Sequence, residues 1–175
     1  MQTFLQQYLP KHYQQVSQQN VSVDGNPAVL TRYQNDANDQ LTGEHFSTLF
    51  GQDKLQGFVW LAPQLVAGTL PNKQQAQDIA DDFLRAYAPD LYANKELHWI
   101  KPHDETIVVA GKKQTITGMK VKMRQRQNGL WFWVIVGNNR QVIIFERDIV
   151  WLDFKFKRQT EKWLHDDWLV ARSKR

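Results

Sequence analysis

The sequence predicts an α+β domain, an antiparallel sheet of about five or more strands with helices laid on it. Three observations carry that expectation. From Gly118 to Trp151 three apolar-alternating runs are separated by Asn128-Gly129 and Asn138-Asn139, the pattern of a strand meander with tight turns. Asn72, with Gln75 three residues on, opens one amphipathic helix that Pro89 closes. The chain also shows no internal repeat and no stretch of about 18 apolar residues, so neither a repeat array nor a helical membrane span is expected. Its 175 residues are read as a single domain, 1–175, with the 72–88 helix on one face of the sheet. The C-terminal helix is placed on the other face or at one end.

Taken in order, Phe4, Leu5, Tyr8, Leu9, His12, Tyr13 and Val16 recur at helical spacing and predict a helix over 3–18, kinked or restarted at Pro10. Asp24-Gly25 between β-branched runs predicts a hairpin over 21–30. The polar loop 34–44 carries Asp36, Asn38 and Asp39, but an EF-hand loop counted from Asp36 would need Gly and Glu where Leu41 and Ser47 stand. A short strand is expected over 57–61. In the 72–88 helix Ala76, Ile79, Ala80, Phe83 and Tyr87 form one stripe, and the two alanines allow close approach to the sheet.

Strands over 96–100 and 106–110 are expected to flank a loop at 101–105, and a further strand runs from Gln114 to Gln127. If both later turns contain two residues, counting outward sets Met123 against Val134 and Val121 against Val136. On the other face Arg126 then meets Trp131, Arg124 meets Trp133, and Trp131 meets Glu146. The run Leu152 to Lys157 alternates again. A last helix from about Thr160 puts Asp167 inside the arc of Trp163, Leu164 and Trp168, where a carboxylate needs a partner, here expected to be Arg124, Arg126 or a nearby lysine.

Charge is unevenly distributed. Residues 1–105 hold 7 Lys/Arg against 12 Asp/Glu, whereas 106–175 hold 15 against 6, giving the overall +4. A basic C-terminal half suits an anionic partner, or serves only to attract the acidic half. The absence of cysteine removes disulfide frameworks, thiolate zinc sites and cysteine nucleophiles. Without a basic leader or an apolar segment, the expected location is cytoplasmic with no membrane insertion.

Candidate sites are few. Lys122, Arg124, Arg126, Trp131, Trp133 and Glu146 would share one basic, aromatic sheet face able to take a small apolar ligand or an anionic macromolecule such as nucleic acid. His98, His103 and Asp104, with Glu105 beside them, form the alternative, an acid/base cluster for a small enzyme. No HExxH, HxH, phosphate loop or GxSxG occurs, so no metal or cofactor is expected. His165-Asp166-Asp167 resembles a dyad in composition alone, because helical neighbours diverge by about 100°. The function expected is that of a non-catalytic binding or interaction module, with homo-oligomerisation left open.

Overall fold

The computed structural model describes residues 2–36, 41–152 and 157–174. A short helix α1 (Gln2–Tyr8) precedes β1 (Gln14–Val23), β2 (Asn26–Gln34), β3 (His45–Gly51) and β4 (Lys54–Leu61). A 3-10 turn (Pro63–Leu65) leads to α2 (Lys73–Tyr87) and α3 (Pro89–Asn94). Then come β5 (Lys95–Val109), β6 (Lys112–Gln125), β7 (Trp131–Val136) and β8 (Val142–Ile149). The two-residue strands β9 (Trp151–Leu152) and β10 (Lys157–Arg158) pair with each other before α4 (Asp166–Ser173).

The eight long strands form one antiparallel sheet in the order β1-β2-β3-β4-β8-β7-β6-β5. Two four-stranded meanders therefore meet at β4 and β8, and a helix precedes each meander. Asp24-Gly25, Gln52-Asp53 and Ala110-Gly111 close two-residue turns, with φ between 46° and 83° at all six positions. Paired positive φ values match the right-handed strand twist. Asp-Gly announces such a turn in the sequence and Gln-Asp does not.

Several expectations are corrected here. The 3–18 helix stops at Tyr8, because Pro10 breaks it and the β-branched Val16, Val21 and Val23 favour the extended chain of β1. β3 was not anticipated; its first five residues are buried, so it shows no polar alternation. Residues 101–105 are part of one continuous 15-residue strand rather than a loop, with Pro102 accommodated because β5 lies at the sheet edge. The centre of the 34–44 loop, with Asn38 and Asp39, and the centre of the 152–157 run lie outside the described residues.

The meander register differs from the expected one by two residues. Arg124 pairs with Trp131, Met123 with Phe132 and Val121 with Val134. The cause is the turn: residues 126–129 form a four-residue loop in which Gly129 N–H donates to Gln125 O at 2.9 Å and Gln125 N–H to Leu130 O at 2.8 Å. A slip of two residues keeps every side chain on its original face, whereas a slip of one would have exchanged them. Met123 and Arg124 accordingly lie on opposite sides, as the alternation requires.

One face packs against α1, α2 and α3. Ala76, Ala80, Phe83 and Leu84 of α2 join Met123, Phe132, Val134 and Phe145 of the sheet in a core threaded by ring contacts from Phe4 through Phe58 and Phe83 to Phe145. The opposite face carries Leu61, Ile107, Ile116, Trp133, Ile135 and Ile144. It is covered by Trp163 and Leu164, with Leu65 of the 3-10 turn beside them. Hence the cover is mainly the non-helical segment 160–165, not a helix from Thr160, and α4 itself has no fully buried residue.

That segment is fastened to the β1–β2 turn. Thr160 Oγ1 donates to Asp24 Oδ2 at 2.7 Å, Asp24 N–H to Glu161 Oε2 at 2.9 Å, and Trp163 Nε1–H to Ser22 O at 2.8 Å. On the same side the sheet curls. Val108 N–H of β5 donates to Thr42 O, just before β3, at 2.8 Å, although four strands separate β5 from β3 in the sheet.

The β4–β8 seam leaves no room beside Gly57, where a Cβ would lie 2.6 Å from Phe145 O and 2.7 Å from Leu164 Cδ1. Gly57→Ala is expected to cost about 1–3 kcal/mol through overpacking, because a backbone carbonyl cannot step aside. The measurement is the urea midpoint of unfolding. An unchanged midpoint would mean that the cover does not press on the seam.

Candidate functional site

Lys122, Arg124, Trp131, Trp133 and Glu146 share the face opposite α2, as cross-strand neighbours on β6, β7 and β8. The C-terminal cover divides this face. Trp133 is 5% exposed beneath it, whereas Trp151, at the end that no described residue of the cover reaches, is 37% exposed. Trp131 lies at the boundary and is half-buried.

At the uncovered end cations sit against indoles. Lys122 Nζ is 4.3 Å from the ring centre of Trp131, 5.3 Å from that of Trp151 and 5.5 Å from that of Trp99. The Arg124 guanidinium is 5.4 Å from the Trp131 ring, and its Nε–H donates to Gly129 O at 3.0 Å, which fixes it over the indole. His98 stands edge-on to Trp131 at 4.9 Å, at a bulge of β5. Arg126 is not part of this group. The longer loop carries it off the strand, where its N–H bonds to Asn94 O at 3.0 Å and its side chain is exposed.

Under the cover lies a buried carboxylate. Glu146, 3% exposed, accepts from Trp133 Nε1–H at 3.1 Å, is 2.8 Å from Arg158 Nη1 and 3.1 Å from His165 Nε2. Burial alone would push its pKa up, but His165 and Arg158 outweigh that and hold it well below the usual carboxylate range. His165 is shifted the other way: burial would lower its pKa, yet Glu146 raises it. Lys120, on β6 and 4.0 Å from the Trp133 ring, is pushed down to about 8 by burial, against the opposing pull of Glu146.

A second unit of the same type lies nearby. Asp166 takes a two-point contact from Arg32 at 2.8 and 3.0 Å, accepts from Thr42 N–H at 2.6 Å, and lies 3.6 Å from His45 Nδ1. Asp166, rather than Asp167, is therefore the carboxylate that the fold pairs. Arg32 of β2 fills the role expected of Arg124 or Arg126, and Asp167 faces water. The helix starts at Asp166, six residues later than expected, and that rotates the predicted arc.

Both units line one cleft of about 420 Å³ between the curled sheet and the C-terminal segment, whose walls include Thr42, His45, Glu105, Glu146, His165 and Trp168. His103 Nε2 meets Glu105 at 2.9 Å on its margin, and Asp104 accepts from Thr117 Oγ1 at 2.6 Å. His98 sits against Trp131 instead, so His98, His103 and Asp104 do not converge. Among the described residues no three His, Cys, Asp or Glu side chains are grouped as metal ligands. Sequence reasoning missed His45, Arg32 and Arg158 and set His165 aside, because each finds its partner across the fold, at separations that no local motif records.

No protein-family model matches the chain, and no curated protein or solved structure is significantly similar to it.

The shifts set a pH dependence. Glu146, depressed, contributes stability above the ordinary carboxylate range and loses it only in strong acid. His165, raised above 6.5, contributes fully below that value and loses its contribution as the pH rises through the folded-state pKa. His45 runs the other way, because burial lowers its pKa and it destabilises the fold as the pH falls through 6.5. Comparing wild type with His165→Asn isolates His165. The wild-type advantage in unfolding free energy is expected to be fully present below pH 6.5 and to shrink as the pH rises through the raised folded-state pKa of His165. An advantage that stays flat across this range would contradict the pairing.

Proposed function

We propose that the protein is a non-catalytic binding module that holds an anionic partner bearing planar or apolar groups on the uncovered end of its sheet. The observation that carries this reading is the exposed Arg124 guanidinium fixed over the Trp131 ring, on a face that also holds Trp99 and Trp151. Indoles offer flat apolar area, and cations held beside them neutralise charge without losing much side-chain freedom on binding. Exposed Trp151 extends the apolar part of the surface. The net +9 of residues 106–175 supplies the matching field. An acid/base pair made of His98 and His103 gains no support, since the two rings face different neighbours.

Single-stranded oligonucleotide is the first probe, because it presents both stacking bases and phosphates. Tryptophan fluorescence is expected to report binding that weakens steeply with salt. Trp131→Ala should reduce affinity about tenfold, since stacking one base on an aromatic ring contributes about 1–3 kcal/mol. Arg124→Ala should lower the slope of log affinity against log salt by about one contact. Binding insensitive to salt and to both substitutions would overturn this reading.

A further inference from the structure

The two edges of the sheet are built differently. β5, at one edge, carries Lys95, Glu96, Lys101, Asp104 and Glu105 with Pro102 among them, and near its end Val108 N–H is already spent on Thr42 O. Charges and proline are what keep a strand edge from pairing with another chain. β1, at the other edge, reads Gln-Gln-Val-Ser-Gln-Gln-Asn-Val-Ser-Val, ten residues without a charge or a proline. Its side chains are exposed or half-buried throughout.

One side of β1 is spent on β2, in a ladder that runs unbroken from Ser17 opposite Arg32 to Val23 opposite Asn26. In an antiparallel ladder every second residue then turns its N–H and C=O away from that partner. Among the described residues no further strand takes up those groups. Trp163 Nε1–H occupies Ser22 O at the far end, which leaves the run from Gln14 to Val21 open. No helix lies over the strand on the α2 side: the groove of about 650 Å³ beside it has Gln18, Asn20, Thr31, Tyr33 and Phe50 among its walls, and Leu5 of α1 is the one residue there from a helix.

Three features select a second copy of this chain as the occupant. Two identical antiparallel strands related by a two-fold axis normal to the sheet set one residue opposite itself, and a register centred on Gln18 or Gln19 then brings side-chain amides, which both donate and accept, against side-chain amides. The charged flanks of the strand are complementary in the same arrangement. Exposed Lys11 precedes β1, and Asp24, whose N–H is bonded to Glu161, follows it, so reversal of one copy brings the cationic end of each to the acidic end of the other. A chain of net charge +4 also approaches itself most readily along a strip that carries no charge. We propose that the protein forms a two-fold dimer through β1, which joins two eight-stranded sheets edge to edge. β5 and β6, which bear Trp99 and Arg124, stand at the other end of the strand order and stay outside the interface.

Analytical ultracentrifugation of the full chain over a concentration series tests this. The mass is expected to rise from that of one chain toward that of two, with a dissociation constant of micromolar order, as suits a small interface. Gln18→Lys should weaken association about tenfold by setting like charges against each other across the axis, whereas Gln74→Lys, the same charge on the exposed side of α2, should leave it unchanged. The chain has no cysteine, so Gln18→Cys and Gln19→Cys supply thiols that link only copy to copy. One of the two should form a disulfide-linked dimer readily on mild oxidation, and Gln74→Cys should not. Both β1 positions are exposed, so these variants keep the fold. Trp131→Ala should leave association unchanged, which separates this edge from the sheet-end surface. A chain that stays monomeric at every concentration, association indifferent to Gln18→Lys, or cross-linking no faster at β1 than at Gln74 would each overturn the proposal, as would capture of a foreign extended peptide along β1 by a chain that remains monomeric.

Discussion

The carboxylate of Glu146 is the fixed point of this molecule. It projects from β8 into the face opposite α2 and takes up Arg158 and His165, both from the segment that closes that face. A carboxylate 3% exposed is tolerable only when its lone pairs are filled, and Trp133 Nε1–H completes the set. Three elements are thereby held to one another: the sheet, the β9–β10 ladder and the start of α4. Where the cover ends, Trp133 gives way to Trp131, and a dry interior gives way to a surface on which lysine and arginine rest against indoles.

Buried ion pairs of this kind are weak sources of stability, because desolvation offsets most of the Coulombic gain, but they penalise alternative arrangements strongly. Leu164, Trp163 and Leu65 could pack on an aliphatic sheet in several ways. Glu146 with Arg158 and His165, and Asp166 with Arg32, allow only one. The same clamps consume the negative charge of the two buried acids in the cleft.

Much of the fold could be read from local pattern. The α2 stripe and its cap, the Asp24-Gly25 hairpin and the two-faced character of the meander all follow from periods of 3.6 and 2.0 and from turn chemistry. Face assignment survived an incorrect turn length because the error was an even number of residues. What failed was tertiary in origin. β3 has no solvated side to betray it, Pro102 reads as a loop unless the strand is known to be an edge, and the 3–18 periodicity competes with a β-branched run that only pairing with β2 favours. Of the candidate site residues, Lys122, Arg124, Trp131, Trp133 and Glu146 share a face, but the histidines that matter to the cleft, His45 and His165, acquire their partners only when distant segments meet.

Hydrogen exchange on Glu146→Ala, compared with wild type, tests most directly whether this carboxylate fastens the C-terminal cover. The account predicts that protection falls sharply in residues 157–169 and in the β8 amides beneath them, while α2 and the β2–β3 pairing keep theirs. Unaltered protection across 157–169 would contradict it, as would a uniform loss over the whole chain.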